Sequence, residues 1–297
     1  MRACFTRVTS ELLDTSERLV LVLADIGIGS FREIGALERH PRRVLNVGIR
    51  EQLMVGVASG FAIEGFRPIL HSYAPFLVER PFEQLKLDLG HQGLGAILVS
   101  TGASYDAASE GRTHQCPGDV ALLATLPGWK IEVPGHAEEV EACLRKAATG
   151  SDCVYIRLAE RQNEQSFPGQ SRLVPIRHGG EGAPLVVAVG PMMQPVLDAT
   201  AGVDLSIAYL SEVRPFDAEG CRAMAGSQVV LVEPYLEGTT ASEVAKALLN
   251  RPHRLLSIGV PLAERHRYGT PAEHDRALGL DAQGLRERIL PFVGADR

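Results

Sequence analysis

The 297-residue chain reads as an α/β protein of two domains, each a mostly parallel sheet covered by helices. Three observations point there. Short apolar runs rich in β-branched residues recur along the chain. They are apolar on both faces, as strands of a buried parallel sheet are. Segments of helical character separate them. The strand candidates are 19–24 (LVLVLA), 95–100 (GAILVS), 153–158 (CVYIRL), 184–189 (PLVVAV), 204–210 (DLSIAYL), 228–233 (QVVLVE) and 254–259 (RLLSIG). The helical candidates are 50–64, 76–90, 136–148, 239–250 and 281–291, and 53–62 is apolar on every side, which predicts a buried helix. Residues 161–183 are polar, rich in Gly, Pro and Gln, and lack a periodic apolar face, so they read as a linker. That leaves domains at 1–160 and 184–297, each long enough for its own core.

Composition removes several function classes. No apolar stretch approaches the roughly 18 residues that would span a bilayer. The opening MRACFTRVTSELLDTSERL alternates charged and apolar residues, unlike a secretory signal, so a cytoplasmic chain beginning near Met1 is expected. Five cysteines are an odd number and none are spaced C-x-x-C, which suggests reduced core thiols rather than a disulfide framework or a zinc clip. A formal charge of −6 without any Lys/Arg block argues against nucleic acid as a partner.

Common phosphate-loop, dinucleotide, hydrolase-elbow and metalloprotease motifs are missing. Polar residues cluster instead where the first domain's strands end, the place where open α/β sheets bind ligands. Asp25 and Ile26 follow the first run. Asn46-Val47-Gly48-Ile49-Arg50-Glu51-Gln52 opens a helix, and His71-Ser72-Tyr73-Ala74-Pro75-Phe76 follows RPIL. Glu110-Gly111-Arg112-Thr113-His114-Gln115 lies in a glycine-rich loop, and Arg157 and Arg161 follow CVYI. Together they predict one composite site.

These residues carry a resemblance. NVGIREQLMVGVASGFAIEGFRPILHSYAPFLVERPFEQ and EGRTHQCPGDVALLATLPGWKIEVPGHAEEVEACL resemble the pyrimidine-binding domain of transketolase and 1-deoxyxylulose-5-phosphate synthase. VVLVEPYLEGTTASEVAKALL and RYGTPAEHDRALGLDAQGL resemble the transketolase C-terminal domain. The ordered set G-I-x-E-Q, aromatic-x-x-Phe and G-x-T-H-Q is more specific than any one piece.

The resemblance implies thiamine diphosphate chemistry, in which the cofactor's ylid carbon attacks a ketone. Glu51 takes the place of the glutamate that hydrogen-bonds the aminopyrimidine, a role that calls for a desolvated carboxyl able to share a proton. Tyr73 and Phe76 match aromatic residues that stack on that ring, and Asp25 and Ile26 match an acidic–apolar pair beside the thiazolium. His114 corresponds to a histidine that reaches substrate oxygens, and Arg161 resembles the transketolase arginine that holds a sugar phosphate. Glu110 stands where many relatives have Asp, and Arg112 where they often have Pro, two departures that bear on how substrate hydroxyls would be recognised. Arg80 lies one position after the arginine of the synthase branch. The resemblance assigns no role to His71 or Arg157.

Full-length relatives bind diphosphate and Mg²⁺ through a G-D-G motif and a downstream Asn on a preceding domain. Gly118-Asp119-Val120 lacks that pattern. The resemblance therefore implies the C-terminal, β-type subunit of a split transketolase. A separate diphosphate-binding chain would hold Mg²⁺ and complete the site, an α₂β₂ assembly would pair copies of this chain, and sugar phosphates would be the substrates. Two alternatives stay open: the β subunit of a 2-oxo acid dehydrogenase or a synthase-like acyl or ketol transferase, and a non-catalytic regulatory subunit.

Overall fold

A computed structural model describes residues 1–167, 172–264 and 266–294. The strands in chain order are β1 (Leu19–Leu23), β2 (Val44–Asn46), β3 (Arg67–Tyr73), β4 (Ile97–Thr101), β5 (Lys130–Glu132) and β6 (Val154–Arg157), then β7 (Val174–Arg177), β8 (Leu185–Val189), β9 (Ser206–Leu210), β10 (Glu212–Arg214), β11 (Gln228–Leu236) and β12 (Arg254–Val260). They form a seven-stranded sheet ordered β10-β5-β6-β4-β3-β1-β2 and a five-stranded sheet ordered β12-β11-β8-β9-β7. Only β10 and β7 run antiparallel to their neighbours. The α/β class read from the sequence is the observed one.

Register explains why the polar strand ends converge. Leu23 pairs with Asn46 on one side and His71 on the other, Tyr73 pairs with Thr101, and Ser100 pairs with Arg157. Because these strands are parallel, their C-terminal ends open on one edge of the sheet. The segments after them are neighbours despite their separation in sequence.

Several elements depart from expectation. The segment 161–183 contains β7, whose residues are mostly half-buried and include Pro175. At a sheet edge one ladder side is open, so a proline is tolerated and no continuous apolar run is needed. The boundary between halves is also crossed by β10, which closes the edge of the first sheet beside β5. The cores merge as well: Val22, Leu70, Leu98 and Tyr155 belong to one apolar cluster with Leu185, Val187, Val229 and Leu231.

Among the helical segments, Glu51–Ile63 buries Met54, Val55 and Ala58, but Leu53 and Ile63 are exposed, so the predicted all-round burial is not seen within this chain. The helix expected over 76–90 is broken into two wide π-turns, Pro75–Glu79 and Leu85–His91, with Phe82–Gln84 between them. Pro81 has no N–H to continue a regular ladder. The helix Arg2–Thr15 was not anticipated; it buries Phe5, Val8 and Leu13 at helical spacing. Among the described residues no helix is long and apolar enough to cross a membrane. All five cysteines are free, and four are buried.

The two halves meet around a buried ion pair. Arg157 Nε donates to Asp119 Oδ2 at 2.7 Å and Arg157 Nη2 donates to Ser104 Oγ at 2.7 Å. The Tyr155 hydroxyl donates to the same Asp119 oxygen at 2.6 Å. Ser104 in turn donates to the Pro234 carbonyl of β11 at 2.5 Å, and Tyr235 lies beneath the guanidinium at 5.6 Å. Removing one member of a buried pair strands the other charge, at a cost of about 3–5 kcal/mol. We therefore expect Asp119→Leu to lower unfolding free energy by about that amount in urea titrations. Adding Arg157→Met should recover part of the loss; a small effect of the single change would show that the pair is not the seam's anchor.

Candidate active site

Glu51 is the first residue of its helix and is almost completely buried. The helix N-terminus favours a carboxylate there. Its Oε2 accepts from Arg80 Nη1 at 2.8 Å, while Oε1 is buried with no hydrogen-bond partner. A buried carboxylate oxygen without a partner is unusual and marks a position where a ligand donor fits. Arg80 comes from the end of the first π-turn, where its N–H bonds the Pro75 carbonyl at 3.0 Å. The guanidinium lies 4.1 Å over the Phe76 ring, an attractive cation–aromatic contact. Sequence reasoning left Arg80 without a role. Here it joins the carboxylate to the aromatic group.

Tyr73, Phe76 and His114 form one cluster of edge-to-face rings. Phe76 and His114 centroids are 4.9 Å apart, Tyr73 and His114 5.5 Å, and Tyr73 and Phe76 6.1 Å. All three are half-buried, so part of each ring remains accessible. Close approach of the backbone makes this possible: Gly102 has φ +70°, and a Cβ there would stand 2.4 Å from the Tyr73 ring. His114 Nδ1 lies 2.9 Å from the Thr113 hydroxyl, which leaves Nε2 on the opposite side of the ring. An open groove of about 450 Å³ beside Tyr73 is also bordered by Gly102, Asp106, Glu110 and Glu160.

Other residues sit around this centre with partners of their own. Asp25 has the left-handed φ of 64° and exchanges two hydrogen bonds with Asn46: its N–H donates to Asn46 Oδ1 at 2.9 Å, and Asn46 Nδ2 donates to Asp25 Oδ1 at 2.7 Å. The pair clips the end of β1 to that of β2, with Ile26 half-buried beyond it. Glu110 is exposed on the groove rim. Arg161 lies at the seam, where Nη2 bonds the Asp275 carboxylate of the second half. Arg157 belongs to the buried pair described above, and Asp119 of the Gly118-Asp119-Val120 stretch is its partner.

His71 is wholly buried, packs tilted against the Phe5 ring with centroids 4.5 Å apart and donates from Nδ1 to the Val99 carbonyl at 2.7 Å. Burial pushes its pKa down from 6.5 to about 4, so the folded protein holds it neutral. Because the unfolded chain binds the proton more readily, stability is full above pH 6.5 and is lost as pH falls toward 4. At pH 5 that loss is about 2 kcal/mol. Urea unfolding at pH 7 and pH 5 should show wild type losing that much more than His71→Asn; equal losses would exclude His71 as the source.

Residues 1–165 match the family model described as transketolase, pyrimidine binding domain. The chain belongs to that family. It is 46% identical over 99% of its length to an uncharacterized 33.6 kDa protein in the fasciation locus of Rhodococcoides fascians, covering 95% of that protein. It is 31% identical over 96% of its length to 1-deoxy-D-xylulose-5-phosphate synthase 2 of Geobacter sulfurreducens, and spans only 48% of that enzyme. The 6-deoxy-6-sulfo-D-fructose transketolase subunit SqwH of Clostridium sp. (strain MSTE9) is 27% identical over 88% of the chain, which covers 84% of that subunit. Among solved structures, a split gene transketolase described as an inactive β4 tetramer superposes with a TM-score of 0.85 at 24% identity, covering 100% of this chain and 98% of the other. Family members use thiamine diphosphate. The site fits its aminopyrimidine end: the unpartnered Glu51 Oε1 offers an acceptor inside the protein, and the Tyr73–Phe76–His114 cluster offers apolar surface for a flat ring.

Proposed function

We propose that this chain is the β-type subunit of a split, thiamine diphosphate-dependent transketolase that moves a two-carbon ketol unit from a ketose to an aldehyde. The observation that carries the reading is the buried Glu51 carboxylate, with Oε1 unpartnered and Oε2 joined through Arg80 to the aromatic cluster. The cofactor, when bound, supplies a nucleophilic carbon that adds to a ketone and an electron sink that stores the released pair. Everything else falls to the residues. Arg80 engages Oε2 and so leaves Oε1 to share a proton with the aminopyrimidine; Tyr73 and Phe76 hold that ring; Asp25 and Ile26 border the thiazolium. His114 donates to a substrate oxygen, a task suited to a neutral-pH imidazole. Glu110 meets substrate hydroxyls, and Arg161 meets the far end of the substrate.

The diphosphate and Mg²⁺ are assigned to a separate subunit. Support comes from chains of this extent that stand as proteins of their own, one described as a transketolase subunit and one as the chain of a split gene transketolase. The assembly proposed is α₂β₂ in the cytoplasm. Exposed Ile49, Leu53 and Ile63 around the Glu51 helix offer apolar surface for its interfaces. We expect this chain alone to bind the cofactor weakly and to lack ketol transfer, and mixing with the partner to restore both. Tight Mg²⁺-dependent binding in calorimetry of the isolated chain would contradict this.

Identity to the synthase favours a second reading, acyl transfer from a 2-oxo acid. The donors separate the two: ketol transfer consumes a hydroxylated ketose, whereas the second reaction consumes a 2-oxo acid and releases CO₂. The Glu51 assignment is tested by Glu51→Gln, which keeps the shape and removes proton sharing. Exchange of the thiazolium C2 proton with ²H₂O, followed by NMR in the reconstituted complex, should slow by about 10²–10⁴-fold. Exchange at the wild-type rate would refute the role.

A further inference from the structure

A small cavity beside the groove, sharing Asp106 and Ala159 with it, carries an arginine whose charge is already answered. Arg161 and Asp275 are 114 residues apart in sequence and meet across the seam between the two halves. Both oxygens of Asp275 are engaged: Oδ2 accepts from Arg161 Nη2, and Oδ1 accepts from the Tyr105 hydroxyl at 2.6 Å. The carboxylate is held in place rather than swinging freely. Its helix, Pro271–Leu278, begins with a reciprocal cap in which Thr270 and Glu273 bond each other's backbone N–H. The neighbouring His274 ring stacks on Tyr105 at 5.2 Å with 17° between planes. Arg161 Nη1 lies 3.3 Å from Met192 Sδ, so the guanidinium is fixed from both sides.

Charges of both signs surround this pair: the N-terminal amine of Met1 and Arg2 line the neighbouring groove together with Asp106, Glu110 and Glu160. Asp106 borders both the large groove and the small cavity of about 40 Å³ that holds Arg161 and Asp275, and accepts the Glu160 N–H at 2.9 Å. Glu110 and Glu160 stand exposed on the groove rim. The other guanidinium in that small cavity, Arg157, is committed to Asp119. A phosphate arriving at Arg161 would have to displace a fixed carboxylate, which opposes its binding. Hydroxyl groups meet no such opposition and find acceptors in the same carboxylates.

We propose that Asp275 is a specificity-determining residue that fills the anion seat of Arg161, so that the cavity beside the groove takes a hydroxyl-bearing sugar end and turns a phosphate away. The proposal rests on the reading of the groove as the substrate channel of a ketol transferase, and it departs from the sugar phosphate that the sequence resemblance implies.

The test needs no turnover. The purified chain is titrated with inorganic phosphate and followed by ³¹P NMR line width. Asp275→Asn keeps the shape and the acceptor for Tyr105 but removes the charge; Asp275→Ser serves as a second neutral variant should the amide fold poorly. Either should bind phosphate at least about tenfold more tightly than wild type, a change of about 1.4 kcal/mol. Adding Arg161→Leu should abolish the gain, and Tyr105→Phe alone, which disturbs packing but keeps the carboxylate, should leave affinity at the wild-type level. Unchanged phosphate affinity in both neutral variants, or a gain that survives loss of Arg161, would overturn the proposal. Should these titrations behave as expected while the mixed subunits fail to transfer a ketol unit, the functional reading fails and the competition between Asp275 and phosphate stands.

Discussion

Burying a guanidinium is costly unless a carboxylate answers it, and the seam of this protein is organised around one such pair. Arg157, at the last position of β6, is among the largest fully buried side chains in the molecule. Desolvation opposes its charge, and Asp119 restores it. The pair then recruits Ser104, Tyr155 and the backbone of β11 from the second half. Ser104 itself adopts a left-handed φ of 51°, a strained conformation held by this network. Since Ser104 lies between Gly102, which packs close to Tyr73, and Tyr105, which holds Asp275, the buried pair fixes the loop that joins the groove to the small cavity beside it.

The two ends differ in electrostatic design. At the Glu51 end, burial and a single cation leave one carboxylate oxygen without a partner, so the site is set to accept a donor from a bound ring. At the Arg161 end the arginine and Asp275 answer each other's charge, so no anion seat stands open. A ligand bridging them would be recognised by a committed hydrogen bond and ring contacts at one end and by hydroxyl contacts at the other. Asymmetry of this kind comes from which strand ends the parallel register brings together, because Glu51 follows β2 and Tyr73 and Phe76 lie at the end of β3, the two strands that flank β1, while Asp275 arrives only through the second half.

What could be read from the sequence was set by range. Glu51, Tyr73, Phe76 and His114 lie in short motifs whose local order is diagnostic, and long apolar runs announced the central strands of both sheets. Short strands at or next to a sheet edge were not visible: β5, β7 and β10 have three or four residues and polar or half-buried positions. Helix Arg2–Thr15 did carry a signal, Phe5, Val8 and Leu13 at helical spacing, but charged residues between them obscured it. Arg80 sits 29 residues from Glu51, and its contact depends on a π-turn that residue periodicity does not encode. Asp275 was beyond reach for the same reason, since nothing near it in sequence mentions Arg161.

The account's central claim is that this chain provides the aminopyrimidine half of a thiamine diphosphate site completed elsewhere. A crystal structure of the chain with its partner subunit, Mg²⁺ and thiamine diphosphate tests it directly. The account predicts the pyrimidine ring against Tyr73 and Phe76, with a ring nitrogen bonded to Glu51 Oε1 and the diphosphate on the other subunit. A cofactor held entirely by the partner, with Glu51 Oε1 still unpartnered, would contradict it.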